Sequence, residues 1–245
     1  MRYLFMLLLL ASGVALAGSS EEIDREFDLK AGGEVSLKNV NGSVTIHGWD
    51  KNSVRVLAVK KARGSNAAGK LERTEVRIEA TSDRVDIETF RTTKAKKWNN
   101  NVSVKYELWV PHQVELTART TNGNVSVSDI SGNLNARSTN GNVTLDGVEG
   151  SVNAHTTNGN VTASLLAYNG GEMDLHSTNG SIKFTGPSDL AVNLEAKTTN
   201  GSVKTDYPVT VSGKQGRNRL NGTINGGGDL LRLKTTNGSV RISSN

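Results

Sequence analysis

Along the chain, apolar and polar residues alternate in short runs that return at a nearly fixed interval. Asn-Gly marks the frame, at Asn122, Asn140, Asn158, Asn179, Asn200, Asn221 and Asn237, with an earlier copy at Asn41. The steps between the seven are 18, 18, 21, 21, 21 and 16 residues. Six copies read Thr-Asn-Gly, with Thr121, Thr139, Thr157, Thr178, Thr199 and Thr236. Three residues past each Asn stands a β-branched apolar side chain: Val44, Val125, Val143, Val161, Ile182, Val203, Ile224 and Val240. Five past it come Ile46, Val127, Leu145, Ala163, Phe184 and Ile242, with Thr205 and Gly226 as exceptions. Six before it lie Leu116, Leu134, Val152, Met173, Leu194 and Leu231, and four before it Ala118, Ala136, Ala154, Leu175, Ala196 and Leu233. Period-two alternation is the pattern of a strand with one buried face. Each repeat therefore predicts two short strands joined at Asn-Gly.

Asn-Gly between alternating strands is also the best local signal of an antiparallel hairpin, so a hairpin-built β sandwich competes. Hairpins need neither a constant period nor matched columns; stacked coils need both. The repeat predicts an all-β fold: a single-stranded, right-handed parallel β-solenoid (β-helix) with coils of ~18–21 residues. In that geometry Asn122, Asn140, Asn158, Asn179, Asn200, Asn221 and Asn237 form a turn ladder whose amides bond from rung to rung. Gly123, Gly141 and their equivalents are expected to supply positive φ at each corner. The stretch 60–112 breaks the period, with strand-like runs at Thr74–Ala80, Arg84–Phe90 and Val102–Val110 and polar segments at Ala62–Lys70 and Thr92–Asn100. It reads as an irregular cap inserted before the regular coils of 113–245. No helix is evident, and Val240 and Ile242 close the sequence without a polar cap. The last coil is accordingly expected to be an open edge through which copies could associate.

Composition changes the picture in two ways. The chain has 26 Gly and 4% aromatics, so its core is built from Val, Leu and Ala rather than rings. It has no Cys, which excludes disulfides, thiolate metal sites and Cys nucleophiles. Met1–Ala17 reads as a secretory signal: Arg2, then the apolar run Leu4–Leu10, then Ala15-Leu16-Ala17 as a small-x-small cleavage site. One exported domain, 18–245, is expected, in the periplasm or at the cell surface. Removing Arg2 takes Lys+Arg from 29 to 28 against 24 Asp+Glu, a net charge of +4.

Three residues before the Asn runs a column of bases: Arg119, Arg137, His155, His176, Lys197 and Lys234, interrupted by Asn218. Stacked about 5 Å apart in water, each neighbouring pair of like charges costs roughly 0.8 kcal/mol before screening. Two readings are open. The column is a cationic stripe for a polyanion, either an anionic envelope glycan or an anionic lipid surface. Alternatively it is a solvated face neutralised diagonally by Glu115, Glu172, Asp174 and Glu195. Nucleic acid is not an expected partner, whereas another envelope protein is. His155 and His176 could pair on a metal, but two ligands without a third make a poor site, so no metal and no cofactor are expected. Catalysis is not expected either. There is no Gly-x-Ser-x-Gly elbow and no repeated acid pair, so a carbohydrate-active enzyme with a site near 60–112 stays an alternative only.

The chain is similar to the bacterial putative-adhesin family of envelope proteins with a domain of unknown function. The residues that carry the resemblance are Gly33-Glu34-Val35-Ser36-Leu37, Asn41 through Asp50, Leu108-Trp109-Val110-Pro111 and the Thr-Asn-Gly-Asn-Val repeats. The resemblance implies an exported, non-catalytic β-solenoid acting as a structural or adhesin-like binding module. It supplies no catalytic residues to carry over.

Overall fold

The computed structural model describes residues 20–91, 102–213 and 215–245. The expected signal at Met1–Ala17 and the polar segment Thr92–Asn100 lie outside them. Strand β1 (Ser20–Asp28) comes first, and β2 (Glu34–Lys38) with β3 (Val44–Trp49) makes the first coil. Then follow β4 (Ser53–Ala62), helix α1 (Ala67–Glu72), β5 (Thr74–Ala80), β6 (Arg84–Arg91) and β7 (Val102–Pro111). The regular coils are β8 (Glu115–Asn122) with β9 (Val125–Ser128), and β10 (Leu134–Asn140) with β11 (Val143–Asp146). They continue as β12 (Val152–Asn158) with β13 (Val161–Ser164), β14 (Met173–Asn179) with β15 (Ile182–Gly186), and β16 (Val192–Asn200) with β17 (Val203–Thr205). Strands β18 (Thr210–Val211) and β19 (Arg219–Ile224) precede the last coil, β20 (Leu230–Asn237) with β21 (Val240–Ser244).

Each coil gives one strand to each of two sheets, which share one continuous apolar core. The register is that of the repeat. Val125, Val143 and Val161 are parallel neighbours on β9, β11 and β13, and Ala118, Ala136 and Ala154 are neighbours on β8, β10 and β12. All six are fully buried.

The corner between the sheets is held by polar columns. Asn122 donates its amide to Asn41 at 2.7 Å, and Asn140, Asn158 and Asn179 each donate to the Asn one rung before at 2.8 Å. Asn237 then donates to Asn179 at 2.8 Å, and Asn200 to Asn237 at 2.7 Å. Just inside this ladder, the hydroxyls of Thr120, Ser138, Thr156, Ser177, Thr235 and Thr198 are buried. Each donates at 2.7–3.2 Å to a glycine carbonyl of the adjacent coil. A buried hydroxyl without such a partner would be costly, so this column fixes register as firmly as the apolar one.

The structure corrects the sequence reading in several places. The sheets are mixed, not purely parallel: β1, β4 and β7 pair antiparallel at one end, as do β5 and β6, and β16, β19 and β18 pair antiparallel at the other. Asn221 is not in the ladder. It lies within β19, opposite Glu195 of β16 in an antiparallel pair. The last coil is not an open edge. β20 sits between β14 and β16, and β21 between β15 and β17, so the C-terminal coil is enclosed by strands on both sides. One short helix, Ala67–Glu72, is present in the 60–112 stretch, with Leu71 buried against Ala62 and Val102.

Positive φ, expected at every corner glycine, is plain at Gly42 of the first coil, φ 122°. Gly123, Gly141, Gly159 and Gly201 do not adopt left-handed φ, and Gly180 and Gly238 sit at its extended limit, φ 159° and 157°. What excludes a side chain is the next coil: a Cβ on Gly141 would overlap the carbonyl of Gly123, and one on Gly159 that of Gly141.

The irregular stretch closes the first end of the core. Buried Thr89 donates to Asn39 Oδ1 at 2.9 Å and so accepts from Tyr106, whose oxygen is 2.7 Å away. Burial pushes the Tyr106 phenol up to about 12. Lys60, also buried, donates to the Thr74 carbonyl at 3.0 Å and meets Glu21 at 2.7 Å, tying β4 to both β5 and β1.

Two outcomes are expected. Gly159→Ala should destabilise the fold by about 1–3 kcal/mol through overpacking, measurable as a lowered urea midpoint with the slope unchanged. A wild-type midpoint would show that the coils can separate locally. Truncation after Gly228 should cost far more than loss of a terminal repeat, because it leaves β14–β15 and β16–β17 facing an empty rung. The check is whether that chain remains folded and monomeric by circular dichroism and gel filtration.

Candidate functional site

The second sheet turns alternate residues outward, and parallel register converts each outward position into a line along the molecule. The basic residues form one such line. In spatial order it reads Arg119, Arg137, His155, His176, Lys234 and Lys197, because the last coil places Lys234 between His176 and Lys197. Lys38 extends it beyond Arg119 and Arg219 beyond Lys197. Lys38 stands three residues before Asn41, at the offset shared by the others, so the repeat already contained it. Arg219 joins through an antiparallel pair that the repeat could not reveal. Asn218 lies outside the line.

The four acids expected to neutralise this line are only partly available. Asp174 and Glu195 are held by Arg232, at 3.3 and 3.2 Å, within their own column. Among the described residues, no ion pair joins Arg119, Arg137, Lys197, Lys234, Lys38 or Arg219 to an acid. Their side chains project from a sheet whose strands lie ~4.8 Å apart, which keeps the charges nearly evenly spaced.

His155 and His176 stand edge to face at the centre of the line, ring centroids 4.7 Å apart. Both are half-buried, and both imidazoles are held below their ordinary value. Burial is the main cause for each, followed by Arg137 for His155 and by His155 and Lys234 for His176, while Asp174 opposes in both cases. At neutral pH the line is therefore two cationic segments separated by two neutral rings. The ring pair lacks a third donor: among the described residues, no group of three or more His, Asp or Glu is placed to hold a metal ion.

The outer face of the first sheet carries a set that the sequence reading missed. His47 Nδ1 is 3.0 Å from Ser128 Oγ, and its Nε2 is 3.7 Å from Glu107, giving a hydroxyl, imidazole and carboxylate in line. They meet because β7, β3 and β9 are adjacent in register. Acyl transfer would also require free N–H groups aimed at a developing oxyanion. Ser128 lies on an extended strand, and the following amide, Asp129 N, already donates to Asp146 O at 3.0 Å. Trp109 packs beside His47 at 6.0 Å and under Arg55 at 4.9 Å, so the set reads as an ordered surface cluster.

The family model Toastrack DUF4097 matches residues 20–243, nearly the whole described chain. The chain belongs to the Toastrack DUF4097 family. No curated protein matches it. Among solved structures, this Toastrack chain is similar to a putative cell adhesion protein from Clostridium sporogenes. The identity is 12%, with 92% of this chain and 100% of that one covered, at a TM-score of 0.55. It is also similar to a putative adhesin from Bacteroides fragilis (12% identity, 94% and 100% covered, TM-score 0.30). A third, a putative lipid binding protein from Parabacteroides distasonis, has 14% identity with 93% and 97% covered, at a TM-score of 0.39. The first shares the fold; the other two superpose too loosely to bear on it. No helix among the described residues is long and apolar enough to cross a membrane.

The histidine pair of this Toastrack chain gives a signed prediction. With folded-state values below the unfolded one, the unfolded chain binds more protons in the interval between them. Stability is full above the unfolded value of about 6.5 and falls as pH drops through that interval. The melting temperature should be level above about pH 6.5 and fall as the pH drops below it, and H155N/H176N should flatten that fall. An unchanged slope in the double variant would show that the two rings contribute nothing.

Proposed function

We propose that the chain is an exported, non-catalytic binding module of the cell envelope, resident in the periplasm or at the cell surface. Its coils wind in the right-handed sense preferred by parallel crossovers. Its contact surface is the basic line of the second sheet, and its partner is a linear or planar polyanion, an anionic glycan or an anionic lipid surface. One observation carries this reading: among the described residues none of the line's arginines and lysines is ion-paired, Asp174 and Glu195 in the adjacent column share Arg232, and Glu88, opposite Lys38 on β6, lies only at the far end of the line. Like charges in register repel, and a counter-polymer laid along the axis relieves every neighbouring pair at once. The family match and the Clostridium sporogenes neighbour described as a putative cell adhesion protein are consistent with a binding role.

The test is retention on heparin and on anionic liposomes. Replacing Arg119, Arg137, Lys197 and Lys234 by Gln should move elution to much lower salt on both supports, while the fold stays intact because all four are exposed. Equal elution of variant and wild type would remove the basic line as the contact. Binding of the wild type should also strengthen on going from about pH 7.5 to about pH 5.5. His155 and His176, held below the ordinary imidazole value of about 6.5, gain charge only as the pH falls below it, and then join the two cationic segments. Titrations of H155N/H176N should lack that increment.

A further inference from the structure

Beside the basic line, two residues earlier on each strand, runs a groove of about 540 Å³ that neither the repeat nor the family accounts for. It crosses β2, β8, β10, β12, β14 and β20, roughly 24 Å from first to last at the strand spacing. Its polar column is Thr117, Asn135, Asn153 and Asp174, short side chains in register on successive strands, with Arg232 at the far end. Glu115 and Glu172 stand exposed along its rim, one outward position earlier. Neither has an ion-pair partner among the described residues.

Asn135 supplies the informative atom. Its Oδ1 is the one buried side-chain oxygen or nitrogen among the described residues without a hydrogen-bond partner. Buried acceptors are nearly always satisfied, and this one lies in the lining of an open polar channel. An O–H or N–H donor from outside the chain, water or ligand, satisfies it.

We infer that this groove binds a linear glycan without anionic groups, lying along the stack of coils. The chemistry selects that class. The carboxylates of Glu115 and Glu172 disfavour a polyanion here, so the ligand differs from the one assigned to the basic line. An extended peptide bound by strand addition needs a free sheet edge, whereas the N–H and C=O groups beneath this groove are consumed in the parallel ladders. Side-chain amides and carboxylates repeated every ~4.8 Å match a chain that presents hydroxyl or acetamido groups at regular intervals. Asn135 Oδ1 accepts from one such O–H or N–H, and the amide of Asn153 offers both donor and acceptor to the next. The inference stands apart from the polyanion reading, since it uses other residues and uncharged contacts.

The test is titration of the uniformly ¹⁵N-labelled chain with cellohexaose and with chitohexaose, followed on the side-chain amide signals of Asn135 and Asn153. At least one oligosaccharide should shift both signals, and the shift should persist in about 1 M salt, where charge contacts are screened beyond about 3 Å. N135L/N153L should weaken binding at least roughly tenfold. R119Q/R137Q/K197Q/K234Q should leave it within about twofold, although the same variant moves heparin elution to much lower salt if the basic line is the polyanion contact. If N135L/N153L fails to fold, N153L alone, at an exposed position, should still weaken binding measurably. The inference is overturned if neither oligosaccharide shifts the two amides, if salt abolishes the shift, or if the basic-line variant weakens binding as much as the groove variant does.

Discussion

The structure depends on one constraint: at the corner between the two sheets, successive coils approach until a glycine faces the carbonyl of the glycine before it. No Cβ fits there. That approach brings Asn amides within 2.7–2.8 Å of one another, and it lets each buried Thr or Ser hydroxyl reach the adjacent coil's carbonyl. Each bond is modest by itself. Together they penalise slippage along the strand, because a one-residue slip would turn the apolar set outward and break the amide column as well. The apolar core then needs no large rings. Aliphatic side chains in fixed register suffice, with Phe184, Tyr106 and Tyr207 the buried rings.

Register fixed at the corner also organises the outer surface. Every outward position becomes a line, and the chemistry of that line is set by what recurs at one offset in the sequence. The order along a line is nevertheless spatial. Because β20 enters between β14 and β16, Arg232 arrives between Asp174 and Glu195, and Lys234 arrives between His176 and Lys197. The same insertion thus sets one guanidinium against two carboxylates, which leaves that column a single net negative charge, and adds one base to the neighbouring line. Closure of the coil stack and composition of the charged face are one event in this fold.

Much of this was legible in the residues. Period-two alternation at fixed offsets from Asn identified the buried columns, the Asn ladder and the basic line, since all three follow from parallel stacking in register. Asn221 was misread because Ile224 stands three past it, as in the true copies. The contrary signal was present: Gln215 and Arg217 occupy the offsets at which the other coils place Leu, Val or Met and Ala or Leu. The insertion of the last coil was not legible. Leu231, Leu233, Val240 and Ile242 suit β14–β15 and β16–β17 equally well, so local pattern cannot choose a neighbour among similar rungs. The pairing of Arg232 with two acids depends on that choice and was hidden with it. The short helix was hidden for another reason: six residues with one buried side chain carry too little periodicity to read.

The centre of the basic line shows how the fold tolerates its own repulsion. Eight basic groups stacked at ladder spacing would make seven neighbouring like-charged pairs. Placing two imidazoles at the midpoint removes three of those pairs at neutral pH, because the rings are pushed toward the neutral form by partial burial and by the flanking Arg137 and Lys234. The edge-to-face contact between them is a contact that two neutral rings can make and two imidazolium ions would resist. Bringing a polyanion to the face reverses each of these terms, since its charge favours the protonated rings and offsets the repulsion that had kept them neutral. The coupling is reciprocal by linkage: whatever acid does for binding, binding must do for proton uptake.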